Sequence, residues 1–253
     1  MLFNNFNYID IFTLTILFIT TFLLLLWLIP RLKARKIVGI DMNKNDKPKI
    51  PEMGGIALVI GFFAGISSYF FFNTIFEKGY DPDDRFLISL VTIVGVAFVG
   101  ILDDLLGMRQ RTKAFLPFFF AFPLGFYVPS NMFFPILGNV DFGIFIILLV
   151  PFGITCATNS MNMLEGFNGL GTGLGIIIVS ALIVLSFMGG NTNSIFILIP
   201  LLGSLLALLV FNKYPAKIFP GDTSTLFVGC AVGCAAISNL KLEGTLLMLP
   251  MIV

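Results

Sequence analysis

Residues Ile11 to Ile29 read IFTLTILFITTFLLLLWLI, and Arg31, Lys33, Arg35 and Lys36 follow at once. An uncharged run of this length matches the roughly 20 residues that an α-helix needs to cross a hydrocarbon core. Met1 to Asp10, ahead of it, contain no Lys or Arg. A cleaved secretion signal carries its basic residues before the apolar stretch, so this segment reads as a retained first span that starts outside and ends inside.

The same pattern recurs along the chain. Further uncharged runs cover about 54–72, 86–102, 114–128, 142–158, 169–188, 195–211 and 225–239, and another begins near Gly244 and reaches only Val253. The expected fold is therefore an all-α integral membrane protein. It is a polytopic helical bundle of eight complete spans plus a truncated ninth, one membrane domain over 1–253 that is cut short at its C-terminus. Composition agrees: of 253 residues 57% are hydrophobic and 11% charged, with a mean hydropathy of +1.00, where a soluble domain runs near 25% charged.

Composition also excludes several functions. Fifteen Lys plus Arg nearly cancel fourteen Asp plus Glu, so bulk charge gives no reason to expect a nucleic-acid partner. His is absent, which removes imidazole bases and His-bound metals. The three cysteines, Cys156, Cys230 and Cys234, lie inside apolar runs and read as small hydrophobes. There is no Walker loop and no zinc spacing.

With the first span running inward, the inner connections are 30–53, 103–113, 159–168 and 212–224. They hold twelve of the fifteen basic residues, all but Lys78, Arg85 and Lys241. That excess of Lys and Arg sets these four segments on the cytoplasmic side. No Asp, Glu, Lys or Arg lies within the eight runs. Transporters place ionisable groups at mid-membrane in broken, pseudo-symmetric helices. A nucleotide-sugar or lipid-linked-sugar transporter is therefore the alternative reading, and a site at the inner membrane surface the leading one.

The four inner segments carry the polar chemistry. The first runs Gly39-Ile40-Asp41-Met42-Asn43-Lys44 and on to Ile50-Pro51-Glu52-Met53-Gly54-Gly55. It is either a polar linker or a basic surface that attracts anionic lipid or substrate. The second opens with Asp103-Asp104 and ends at Lys113. It reads as a boundary pair neutralised by Arg109 or Arg111, or as carboxylates facing a lysine across a hairpin, suited to a metal-bound phosphate. The third, Asn159-Ser160-Met161-Asn162 through Glu165-Gly166-Phe167-Asn168-Gly169, sets two Asn three apart on a helix, as Mg²⁺ ligands or ordinary helix-end residues. Gly169, Gly171, Gly173 and Gly175 follow; no strand precedes them, so their spacing of four reads as close helix packing in lipid. The fourth contains Phe219-Pro220-Gly221-Asp222-Thr223, with Asp222 either an N-cap or a metal ligand. Together, Asp103, Asp104, Glu165 and Asp222 crowd one membrane face. A divalent cation is the simplest remedy for their repulsion, and all-oxygen donors favour Mg²⁺ or Mn²⁺ over zinc. That points to phosphoryl chemistry on a substrate with one greasy and one polar end.

These stretches, in order along nearly the whole chain, resemble the polyprenyl-phosphate N-acetylhexosamine-1-phosphate transferases, and within them the dolichyl-phosphate N-acetylglucosamine-phosphotransferases of eukaryotes and archaea. The resemblance rests on Asp41–Lys44 with Ile50–Glu52, and on Asp103-Asp104 with Lys113-Ala114-Phe115-Leu116-Pro117. Asn159–Asn162 with Gly166–Gly169, and Asn212–Pro215 with Phe219–Thr223, complete it. It implies a ten-span fold with a cytoplasmic active site and a further basic inner loop after the last residue here. It implies transfer of a sugar 1-phosphate, N-acetylglucosamine being the expected sugar, from a UDP-N-acetylhexosamine to a polyprenyl or dolichyl phosphate, releasing UMP. Carried over by position, Asn162 and Asp222 hold Mg²⁺ (or Mn²⁺) and Lys113 contacts the phosphates. Asn168 and Phe219 receive the uracil, Asp41, Met42 and Glu52 line the nucleotide or sugar pocket, and Asn159 joins the substrate-binding set. Asp103 and Asp104 are the family's catalytic carboxylates, activating the acceptor or positioning the metal. Position 165 is Glu, where bacterial relatives carry Asp and eukaryotic ones a small residue. Membrane lipid is an expected partner, and a homodimer is left open.

Overall fold

The computed structural model describes residues 8–75, 82–134 and 138–239. Apolar runs whose backbone must satisfy its own hydrogen bonds in lipid become helices: α1 (Tyr8–Ala34), α2 (Gly55–Ile75), α3 (Asp84–Leu106), α4 (Gln110–Ala121), α5 (Ile146–Leu164), α6 (Leu170–Gly189), α7 (Thr192–Asn212) and α8 (Gly221–Ser238). Seven of them are long and apolar enough to cross a membrane, α4 being the exception. The chain is thus a mostly helical, multi-pass membrane protein. The run after Gly244 lies outside the described residues.

Two features depart from the expectation. The run at 114–128 is not one helix: α4 has 12 residues and passes into a 3₁₀ turn, Phe122–Phe126. Pro117 and Pro123 explain the break, since each removes a backbone donor, and Thr92 Oγ1 donates to the Phe120 carbonyl at 3.0 Å near the helix end. Helix and turn together rise about 28 Å, close to the thickness of a hydrocarbon core. The second departure is two antiparallel hairpins in what was read as all-α. Strand β1 (Val38–Ile40) pairs with β2 (Lys49–Pro51), with Gly39 opposite Ile50. Strand β3 (Asn131–Phe134) pairs with β4 (Gly138–Asp141).

Helices α7 and α8 form the centre, 78% of each span window being buried against 22% for α1. Glycine lets backbones touch around α8. A Cβ on Gly100 of α3 would stand 2.6 Å from Thr223 Cα and 2.8 Å from the Asp222 carbonyl. One on Gly229 would stand 2.6 Å from Thr158 Cα of α5. The N-terminal end of α8 is thereby pinned against the C-terminal ends of α3 and α5. The small residues of α6 behave less uniformly than their spacing suggested. Gly175 packs on Val228 and Leu205, whereas Gly173 has no neighbour within 4 Å.

Because the obstacle at Gly100 is backbone, Gly100→Ala should destabilise the protein by about 1–3 kcal/mol, read as a lower thermal unfolding midpoint in detergent. Gly173→Ala, which meets open space and adds helix propensity, should leave the midpoint unchanged or raise it.

Candidate active site

Four connections close the same end of the bundle, and backbone bonds fix their relative positions. The Phe219 amide donates to the Pro51 carbonyl at 2.8 Å, and the Gly54 and Gly55 amides donate to the carbonyls of Phe219 and Pro220 at 2.9 and 2.8 Å. The loop after α7 is thus zipped onto the end of β2. Between them opens a cavity of about 330 Å³.

The charged centre lies against it. Lys113, 9% exposed on α4, donates from Nζ to Asp103 Oδ2 at 2.8 Å and to Asp222 Oδ2 at 2.9 Å. The carboxylate–lysine apposition across the α3–α4 hairpin is therefore present, and Lys113 rather than Arg109 or Arg111 neutralises it. Asp103 Oδ1 accepts the Met108 amide at 2.7 Å, and Gly107 in the left-handed conformation (φ 65°) ends α3.

Adjacent Asp104 does a different job. Its Oδ1 accepts the Asp222 amide at 2.7 Å, while Oδ2 accepts the Thr223 amide at 3.0 Å and the Thr223 hydroxyl at 2.5 Å. Asp104 thus caps α8 from a neighbouring helix and complements its positive end. Gly221 (φ 74°) gives it room, since a Cβ there would lie 2.6 Å from Asp104 Oδ2. Asp222 is consequently not the N-cap that its sequence position allowed; no side chain of its own segment caps α8.

Around the cavity, Asn162 Oδ1 accepts the Thr225 hydroxyl at 2.8 Å. Asn168 Nδ2 donates to Asp41 Oδ2 at 3.1 Å, and Lys44 pairs with the same oxygen at 3.1 Å. Burial raises the Asp41 pKa, but Asn168, Lys44 and the Asn43 amide outweigh it and hold the carboxyl below its ordinary value. Asn43 Nδ2 donates to the Gly166 carbonyl at 2.7 Å, so the β1–β2 loop reaches across to the α5–α6 connection. Glu52 lies over Gly39, where a Cβ would come within 2.8 Å of its carboxylate. Burial first, and the charge of Asp104 second, raise its pKa. Glu165 sits over Gly171, whose missing side chain leaves the space, and burial pushes its carboxyl up to about 7.

Most of the residues singled out from sequence come together. Asp41, Met42, Glu52 and Asp104 line the cavity, as do Asn162, Asn168, Phe219 and Asp222. Asp103 and Lys113 stand directly behind Asp222. Asn159 does not join them: its amide donates to the carbonyls of Ala114 at 3.1 Å and Thr155 at 2.8 Å, tying α4 to α5. Thr225 was missed. Its place three residues after Asp222, on the same helix face, was the available signal. No group of three or more His, Cys, Asp or Glu side chains is arranged to hold a metal among the described residues. The donor chemistry nevertheless fits a hard divalent cation, because Asp222 and the amide oxygen of Asn162 line one cavity and Mg²⁺ fills its remaining positions with water and phosphate.

A helical membrane bundle with an acidic, lysine-bridged cavity at one end is the architecture of a multi-pass membrane enzyme. Residues 86–239 match the model of glycosyl transferase family 4, and the chain belongs to that family. It is 40% identical over 227 residues to a Saccharolobus solfataricus protein provisionally named UDP-N-acetylglucosamine–dolichyl-phosphate N-acetylglucosaminephosphotransferase, covering 88% of this chain and 69% of that one. A Sulfolobus acidocaldarius protein of the same name is 38% identical with the same coverage. A phospho-N-acetylmuramoyl-pentapeptide-transferase of Borrelia garinii subsp. bavariensis is 32% identical, over 79% of this chain and 63% of that one.

The raised Glu165 pKa gives a stability prediction. A carboxyl whose folded pKa stands near 7, above an ordinary 4.5, supports folding fully below about 4.5 and loses that contribution as pH rises through about 7. Replacing it by Gln removes the loss. The unfolding midpoint of Glu165→Gln relative to the parent should therefore climb between pH 5 and pH 8, on the order of 2 kcal/mol after screening at the cavity mouth.

Proposed function

We propose that the chain transfers N-acetylhexosamine 1-phosphate from a UDP-sugar to a polyprenyl phosphate of dolichyl type, at the cytoplasmic membrane face, releasing UMP. The observation that carries this reading is the Asp103–Lys113–Asp222 bridge set against a cavity lined by Asn162, Asn168 and Phe219. The sugar is N-acetylglucosamine, a choice supported by the names of the two archaeal relatives. The orientation is supported by the twelve basic residues on the connections of this end. Eight crossings are supported by the rise of α4 with its 3₁₀ turn, which returns the chain to the far side before α5.

In the reaction an oxygen of the lipid phosphate bonds to the phosphorus bearing the sugar, in line with the departing oxygen. The phosphoanhydride bond breaks, and its electron pair leaves with UMP. A phosphate monoester has a second pKa near 6, so the acceptor needs little help in losing its proton at neutral pH. Asp103 accordingly acts by holding Lys113 rather than as an obligatory base. The ammonium, already shared between two carboxylates, exchanges one for a phosphate oxygen and takes up charge there. Asp104 acts through α8, fixing where Asp222 points. Asn168 and Phe219 offer the uracil an amide and a ring face. Asp222 and Asn162, the latter oriented by Thr225, would hold Mg²⁺ (or Mn²⁺). When bound, that ion neutralises the diphosphate and its leaving group.

The test supplies membranes containing the protein with UDP-N-acetylglucosamine, dolichyl phosphate and Mg²⁺, and follows lipid-linked sugar and UMP. Both products should appear together, and EDTA or Asp222→Ala should abolish them. Lys113→Met should lower turnover by at least about 100-fold, the scale of losing one charge-stabilising contact. Release of UMP without lipid-linked product, or no product with any UDP-hexosamine, would sink the reading.

A further inference from the structure

We propose that the C-terminal end of α1 and the adjoining β1–β2 hairpin form a surface that binds the headgroups of anionic membrane lipids. Arg31, Lys33, Arg35, Lys36, Lys47 and Lys49 are all exposed there. None takes part in an ion pair among the described residues. Of the acids nearby, Asp41 is taken by Lys44, and Glu52 faces the cavity. Asp46 alone stands within the cluster. Six like charges held together without partners need anions from outside.

Depth identifies the source of those anions. Helix α1 has 27 residues and so extends about 40 Å, roughly 10 Å more than a hydrocarbon core. Leu23, Leu26 and Trp27 are 56%, 49% and 54% exposed, so this end of the helix faces lipid. Trp27 marks the interfacial layer, where indole rings settle. The Arg31 guanidinium lies 3.9 Å from the Trp27 ring centroid and donates to the Trp27 carbonyl at 2.7 Å. One helical turn beyond the indole, the cations are level with lipid phosphates. An acidic protein approaching from solution would have no use for that apolar flank.

Backbone conformation supplies a second, independent indication. The Ile37 amide donates to Leu32 O at 3.0 Å and the Lys36 amide to Lys33 O at 3.1 Å, the paired bonds of a helix end whose left-handed position is normally glycine. Here Lys36 occupies it with φ 59°, and Lys47 is also left-handed at φ 41°. Both positions hold a cation where Gly would be less strained. The helix dipole favours cations in the last turn of α1 but has no bearing on Lys47 and Lys49, which lie on the hairpin.

The chain contains one tryptophan, Trp27, so the surface carries its own reporter. The full protein is reconstituted in phosphatidylcholine bilayers doped with an equal minor fraction of dibrominated phosphatidylglycerol or dibrominated phosphatidylcholine, and quenching of Trp27 is compared. The anionic lipid should show an apparent relative affinity at least roughly fivefold higher, the factor expected of one basic residue near a charged leaflet. The preference should disappear in Lys33→Gln/Arg35→Gln/Lys36→Gln/Lys47→Gln, which leaves Arg31 on the indole. It should persist in Lys33→Arg/Lys36→Arg/Lys47→Arg. Equal quenching by the two lipids in the parent protein overturns the proposal, as does a preference that the Gln variant retains. Parity between the lipids, together with a shift of Trp27 emission by soluble polyglutamate, would reassign the surface to an acidic protein and equally refute it.

Discussion

One buried ammonium holds the functional end of this protein together. Lys113 lies 2.8 and 2.9 Å from carboxylates on two different helices, and it is the cation nearest a group that also contains Asp104, Glu52 and Glu165. In a medium of reduced dielectric, unpaired carboxylates on α3 and α8 would drive those helix ends apart. Yet α3 and α8 touch backbone to backbone at Gly100 and Thr223, an arrangement with no slack to relieve repulsion. The salt bridge is therefore a condition of the packing as well as a feature of the site. Its removal would leave two charges buried and unmatched, which is far less favourable than never having placed them there.

Precision at the cavity comes from backbone more than from side chains. The bonds from Phe219 to Pro51 and from Gly54 and Gly55 to the 219–220 turn give the cavity walls a rigidity that flexible polar loops lack. Asp104 extends the same logic to α8, because a carboxylate that accepts two consecutive amides fixes a helix end in both position and direction. Asp222 and Thr225, on the first turns of that helix, inherit the placement, and Asn162 inherits it through Thr225.

Much of this was legible in the chain. Uncharged runs located the helices, and the bias of Lys and Arg grouped four distant connections on one side, where the structure joins them. Three things were hidden, each for a physical reason. Three-residue strands such as 38–40 and 49–51 are too short to show an alternating pattern. The Phe-rich sequence around Pro117 and Pro123 is as hydrophobic as an unbroken span, so hydropathy passes over the break. Neighbouring residues on a helix point about 100° apart; Asp103 and Asp104 look alike in sequence but meet different partners, Lys113 in one case and the α8 amides in the other. Asn159 and Asn162 diverge similarly, one toward α4 and the other toward α8. Side-chain direction depends on which helix lies alongside, and hydropathy carries no record of that.

The distribution of charge at this end follows a common rule. Carboxylates occupy the cavity and its floor, whereas Arg31, Lys33, Arg35, Lys36, Lys47, Lys49, Arg109, Arg111, Lys213 and Lys217 are exposed around it. An acidic cavity alone would repel phosphates, and a cationic one would bind them too well to release a product. Cations on the rim act at the range of a Debye length, about 10 Å, and concentrate anions at the membrane surface. Within the cavity the balance is set at contact distance by one lysine and, on the proposed reading, one exchangeable divalent ion. Separating long-range attraction from short-range neutralisation lets the same surface collect anionic partners without trapping them.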